Sequence, residues 1–216
     1  ALPTVREATA RGLNRLGIRT IRDLLFHFPR RHEDRRVVTA IRDVRSEQTV
    51  LVKGVLTEMH TEQSFRRYQK GTRPVVVTSA RITDSTGALH VRWFHQRYLD
   101  RTYPSGTEVY LVGSTDAESQ LVAPEIERVR AQHPPIHVGR LVPVYPETAG
   151  VSSRMLRYLI SRVLPLAVTL REYLPPSTKD TEQLMDFSEA VSHIHFPDDD
   201  VQLARARERL AFDELF

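Results

Sequence analysis

Apolar positions recur at two different periods along this chain. Leu13, Leu16, Ile21, Leu24, Leu25 and Phe28 have helical-face spacing over residues 4–28, broken at Gly17-Ile18, which predicts two short helices. Pro29 ends the second, and Arg30-Arg31-His32-Glu33-Asp34-Arg35-Arg36 comes next as a solvated connector whose two acids can pair with its own arginines. From residue 50 the period shortens to two. Five segments rich in β-branched residues, 50–58, 75–83, 88–94, 109–113 and 120–124, read as strands. Asp84-Ser85-Thr86-Gly87 supplies a tight turn, Pro104-Ser105-Gly106 a break, and Gly54 a place for a bend or bulge. A helical insert is expected at 95–103. Five strands with a helix after the third is the order of an OB-fold, a barrel whose exposed face and loops commonly bind oligonucleotides. The expected class is therefore α+β: a five-stranded OB-fold barrel over 49–130, a helical segment and connector over 1–48, and an extended and helical region over 131–216.

That last region opens with Arg140-Leu141-Val142-Pro143-Val144-Tyr145-Pro146, an extended stretch punctuated by proline. Ser152 or Ser153 caps a helix running to Leu164, where Pro165 stops or kinks it. The closing helix, 201–216, carries a stripe of Leu203, Leu210, Leu215 and Phe216, with no capping glycine or polar tail after it. Such a helix looks cut from a longer polypeptide, and its stripe would pack on the next part of that polypeptide.

Alternation along the third strand places Leu89, Val91 and Trp93 on the core face and His90, Arg92 and Phe94 on the other. Phe94 is then a bare ring beside water, and Tyr98 rejoins it if the chain turns helical there. Flanked by Arg92, His95 and Arg97, two such rings suit the faces of bases and the charge of phosphates. The other reading is a strand end tucked under a loop. Between the first two strands, residues 59–73 hold Arg66, Arg67, Lys70 and Arg73 against Glu62, with Phe65 and Tyr68 interleaved. In an OB-fold this basic-aromatic loop borders the binding face.

Composition narrows the classes. The chain has 216 residues, 40% hydrophobic and 27% charged, which is globular rather than disordered. It lacks an apolar run of membrane-spanning length and a secretory h-region, and it lacks cysteine, which removes disulfides, thiolate catalysis and zinc-finger ligation. An intracellular, cytoplasmic protein with no membrane partner is expected. The net charge of +4 and a pI near 9.6 lean towards nucleic acid.

Catalytic motifs are missing. No Walker A loop, Gly-x-Ser-x-Gly elbow or His-Glu-x-x-His helix occurs. Glu33, Asp34, Asp100 and Glu108 have no partner spacing. His193-Ile194-His195 before Asp198-Asp199-Asp200 would suit a metal if the histidines lay on a strand. Three aspartates ahead of Val201 are better explained as a helix N-terminus.

Several segments together resemble the RecG family of bacterial ATP-dependent branched-DNA helicases. Gly17-Ile18-Arg19-Thr20-Ile21-Arg22-Asp23-Leu24-Leu25-Phe26-His27-Phe28-Pro29-Arg30-Arg31-His32-Glu33-Asp34-Arg35 is similar to the opening of that family. Leu141-Val142-Pro143-Val144-Tyr145-Pro146 is similar to its middle. Ile194-His195-Phe196-Pro197 and Arg209-Leu210-Ala211-Phe212-Asp213-Glu214-Leu215-Phe216 are similar to the junction before its motor.

The resemblance implies an N-terminal wedge region without its motor domains. Such a wedge sits at forks and at three- and four-way junctions and splits their arms. Trp93-Phe94-His95-Gln96-Arg97-Tyr98-Leu99 resembles the segment whose two aromatics cap bases at the branch point. Phe94 and Tyr98 match those aromatics, and Arg97 stands where some relatives carry proline. ATP and magnesium are then expected only in the motor domains, and no activity of this chain alone. Implied partners are branched DNA, the motor of the same polypeptide and single-strand-binding protein. The expected DNA-binding residues are Phe94, Tyr98, Arg92, Arg97, Arg66, Arg67, Tyr68, Lys70 and Arg73. Two other classes remain open: an OB-type module docking a peptide or partner domain, and a metal-dependent enzyme at His193 and His195.

Overall fold

A computed structural model describes residues 5–64, 75–130 and 135–215. The elements run α1 (Glu7–Arg15), α2 (Ile21–Leu25), β1 (Arg31–Asp34), β2 (Thr49–Ser64), β3 (Val75–Thr83), β4 (Ala88–Phe94), α3 (Leu99–Thr102), β5 (Glu108–Thr115), β6 (Leu121–Arg128), β7 (Leu141–Val144), α4 (Ser153–Val163), α5 (Pro176–Glu182), α6 (Phe187–His195) and α7 (Asp200–Leu215). Two 3-10 turns, Ile41–Asp43 and Leu164–Thr169, complete them. The chain forms two compact units: Val37–Val138, and Ala1–Arg36 with Gly139–Phe216. Sequence reading divided it instead after residues 48 and 130, with the two ends as separate regions.

The first unit is a closed barrel with strand order β2-β3-β4-β6-β5, in which β5 returns to β2. The β4–β6 pair is parallel and the other neighbours are antiparallel, the mixed closure of an OB-fold. Alternation fills the interior: Val76, Thr78, Ala80 and Ile82 of β3 and Leu89, Val91 and Trp93 of β4 all point inward and are buried. Strands β3 and β4 have the expected bounds. The first strand does not, because β2 runs six residues past Glu58 into the expected loop. The bulge in β2 lies between Thr57 and His60, where Glu58 has φ +52°, and not at Gly54. Gly54 serves close approach: an added Cβ would lie 2.4 Å from the carbonyl oxygen of Thr83.

In the second unit the sequence 30–36 is more than a connector. Residues Arg31–Asp34 pair antiparallel with Leu141–Val144 as β1 and β7. The expected local ion pairs are present, Arg31 and Arg35 on Glu33 and Arg36 on Asp34. Helix α2 starts on a capping box: Thr20 Oγ1 accepts from the Asp23 N–H, and the Asp23 carboxylate accepts from the Thr20 N–H. Ser152 caps α4, and Asp199 accepts from the Gln202 N–H at the start of α7. Of the expected stripe on α7, Leu203 is buried, Leu210 is part-buried and Leu215 is exposed; Phe216 lies outside the described residues.

His193 and His195 lie on α6, not on a strand, so they point about 200° apart at roughly 100° per residue. His195 is fully buried. Its Nε2 donates to the Leu25 carbonyl (2.8 Å), and its Nδ1 accepts from the Tyr145 hydroxyl (2.9 Å), which is the neutral tautomer. Burial pulls its pKa from 6.5 to about 4, and burial lowers His27 and His32 as well. In an unfolded chain His195 takes up its proton near pH 6.5. Its contribution to stability is therefore complete above that pH and is lost as pH falls towards 4, about 3 kcal/mol in all at 1.36 kcal/mol per unit. Urea unfolding at pH 7 and pH 4.5 should show the loss; an unchanged midpoint would contradict a neutral buried imidazole. Glu172 belongs to a lower window. The Arg209 guanidinium, fully buried and 2.7 Å from its carboxylate, holds it at about 2, so its contribution fades only below about 4.5.

Candidate nucleic-acid interface

Phe94 is the last residue of β4, on the outward face opposite Val77 of β3. A valine is too small to cover a phenyl ring, and Phe94 stays 40% exposed. Its neighbour Trp93 points the other way, is 0% exposed and donates its indole N–H to the Pro124 carbonyl at 2.8 Å. Exposed aromatic and buried anchor are thus consecutive residues of one strand.

The chain beyond Phe94 does not become helical at once. His95 adopts a left-handed conformation (φ +58°), and its N–H donates to the Val76 carbonyl at 2.8 Å. A turn comes next, and only Leu99–Thr102 form a helix, with Tyr98 at its N-cap. The i,i+4 helical relation expected of Phe94 and Tyr98 is therefore not what presents the rings. Two anchors hold the turn instead. Leu99 is buried in the barrel core, and Thr78, itself buried, donates through Oγ1 to the Gln96 carbonyl at 3.3 Å. Thr61 joins the extended part of β2 to the same point, with its hydroxyl 3.0 Å from that of Thr78 and donating to Asp100 Oδ2 at 3.3 Å. Tyr98 is left 59% exposed, its hydroxyl donating to Gln96 Oε1 at 3.2 Å. Arg97 beside it is exposed.

Charge on the outer face is more balanced than the arginine count suggests. Arg92 forms an ion pair with Asp116, whose carboxylate also accepts the Glu118 and Gln120 N–H groups. Accepting these bonds, the one from Gln120 foremost, keeps Asp116 below the usual carboxylate range. Arg81 pairs with Glu58 at 3.4 Å, and His60 lies 3.5 Å from Glu62. Arg66, Arg67, Tyr68, Lys70 and Arg73 lie outside the described residues. The chain enters that stretch from Ser64 and leaves it at Val75, which are cross-strand partners two positions from the Val77–Phe94 pair.

Sequence reasoning missed Arg101 and Arg128. Arg101 is exposed on α3, three residues after Tyr98. Arg128, at the end of β6, donates to the Thr102 carbonyl at 2.5 Å and lies 5.6 Å over the Tyr103 ring. The i,i+3 spacing from Tyr98 was a readable signal for Arg101; for Arg128 only barrel closure supplies one. Among the described residues no helix is long and apolar enough to cross a membrane, and no group of three His, Asp or Glu residues could hold a metal ion.

Comparison with known proteins places this arrangement. A family model described as the RecG wedge domain matches residues 3–167. The ATP-dependent DNA helicase RecG of Thermotoga maritima is 31% identical over 94% of this chain, and that of Synechocystis 30% over 94%. The Escherichia coli helicase is 27% identical over the whole chain. This chain covers 26%, 26% and 31% of those proteins, about a quarter to a third of their length. A solved structure of RecG bound to a three-way DNA junction superimposes on 99% of this chain with a TM-score of 0.81, at 27% identity, and the chain covers 29% of it. With an OB barrel whose strand order and aromatic strand end stand on their own geometry, this chain belongs to the RecG wedge domain family.

Proposed function

We propose that this chain binds branched DNA and divides its arms, with Phe94 and Tyr98 stacking on bases at the branch point. The observation that carries the reading is the strand end itself: an exposed phenyl ring one residue from a buried indole, then a pinned turn that exposes a second ring. The match to RecG bound to a three-way junction supports it. Arg66, Arg67, Lys70 and Arg73 hold phosphates, Tyr68 adds a further ring, and Arg97 sits beside the stacked base. Arg92 joins them only by exchanging Asp116 for phosphate. Recognition is of shape, because among the described residues no array of base-reading side chains adjoins the two rings.

The wedge is a passive divider. Two stacked bases supply about 2–6 kcal/mol, against about 1.4 kcal/mol for an average DNA stacking step. That suffices to hold open about the first one to four pairs of an arm and not a long duplex. Continued unwinding then draws on ATP hydrolysis in motor domains of the same polypeptide.

The test is binding of this chain to a three-way fork, a matched duplex and a single strand at one fixed salt, then across a salt series on the duplex. The fork should bind most tightly. Four phosphate contacts from the 66–73 cations predict a log–log salt slope of about −3.6, at about −0.9 per contact. Equal binding of fork and duplex with a flat salt response would move the protein-docking module ahead.

A further inference from the structure

We propose that Arg101 and Arg128, continuing from Arg97, form a phosphodiester-binding track that grips the backbone of the strand whose base stacks on Tyr98. The inference rests on the wedge reading above and extends it to a site built from β6 and α3. Tyr98 has helical backbone angles (φ −72°, ψ −15°) and leads directly into α3, so Arg101 at i+3 lies on the same side as the Tyr98 ring. Arg128 is held in place before any ligand arrives. One of its N–H groups caps the Thr102 carbonyl, and its guanidinium lies over Tyr103. A guanidinium carries five N–H donors, so the others remain to fork onto a phosphate.

The acids that could cancel this charge are turned elsewhere. Asp100 accepts from the Thr61 hydroxyl and from the Arg101 N–H. The Glu127 carboxylate accepts from the Ile136 and His137 N–H groups, and Glu108 pairs with Lys53 at 3.1 Å. Arg97, Arg101 and Arg128 are all exposed. On the outer face of β3 and β4, by contrast, Arg81 and Arg92 are each paired with an acid. Among the described residues, the arginines around α3, next to the stacking ring, thus stand without an acid partner. A strand backbone, bearing one phosphate per nucleotide, is the ligand that needs an aromatic face and adjoining guanidinium groups together.

Two forks test the track: one all-phosphate, the other with neutral methylphosphonate linkages on one strand beside the branch nucleotides. Wild type is compared with Arg101→Ala and with Arg101→Ala/Arg128→Ala. The single variant, at an exposed site, keeps the test valid should loss of Arg128 disturb Tyr103. The double variant should reduce the magnitude of the salt slope on the fork by about 1.4–1.8, at about 0.7–0.9 per contact. Methylphosphonate should weaken wild type several-fold and the double variant hardly at all, because both remove the same contact. A wild type that prefers forks, with variants that keep its slope and its methylphosphonate penalty, would overturn the track and leave the wedge. A wild type without fork preference would overturn both.

Discussion

Replacing Phe94 and Tyr98 together by alanine should abolish the preference for forks over duplex while leaving duplex affinity within a few-fold of wild type. Each ring contributes about 1–3 kcal/mol by stacking, so losing both weakens fork binding by at least about 2 kcal/mol, roughly 30-fold. Duplex arms offer no unstacked base to either ring and are held by charge, which the substitutions leave untouched. Both side chains are substantially exposed, and neither is part of the barrel core, so the variant should fold as wild type does. The contrast is therefore internal to one protein: one DNA shape is lost and another retained. If the double variant binds fork, duplex and single strand as wild type does, these rings do not divide the arms.

Trp93→Ala should destabilise the barrel by about 3–5 kcal/mol, the usual cost of truncating a large buried ring. The indole is fully buried, and its deletion would also strand the Pro124 carbonyl without its donor. Trp93→Phe narrows the change, since it keeps a six-membered ring in the core and removes the hydrogen bond together with the pyrrole part of the indole, at about 1–3 kcal/mol. Urea unfolding monitored by far-ultraviolet circular dichroism reads both. In wild type, fluorescence reports the barrel unit selectively, because Trp93 is the only tryptophan in the chain. A Trp93→Ala chain within about 1 kcal/mol of wild type would show that β4 is anchored elsewhere, and the rigid presentation of Phe94 would need another cause.

Most of the barrel is legible in the sequence because alternation is a strong local signal. Strands β3 and β4 begin and end where their pattern does, and the inward set Leu89, Val91 and Trp93 is read without error. The illegible parts depend on partners distant in sequence. Residues 30–36 are dominated by charge, and only Leu141–Val144, more than a hundred positions later, makes a strand of their middle. The same holds for β2 beyond Glu58, whose polar residues are extended because β3 pairs with them. His193 and His195 mislead for a related reason: two histidines two apart suit a strand, and the helical signal comes from their neighbours Phe187, Ala190, Val191 and Ile194. In the candidate site, Phe94 and Tyr98 were visible as rings among cations. The left-handed His95 that reorients the chain between them was not.

The strand pair β1–β7 carries a consequence for how the polypeptide is made. Its residues bracket the barrel in sequence: the Arg35 N–H donates to the Arg140 carbonyl, and the Gly139 N–H to the Arg35 carbonyl. Entry to and exit from 37–138 are thus stitched together, which is the signature of a module inserted into a host. During synthesis the inserted module emerges whole and can close its barrel while the host still waits for its second half. Excision offers a direct use of this. Joining Arg36 to Gly139 through a short glycine linker should yield the host without its passenger, and 37–138 expressed by itself should be a self-sufficient folding unit, ready to be transplanted between relatives.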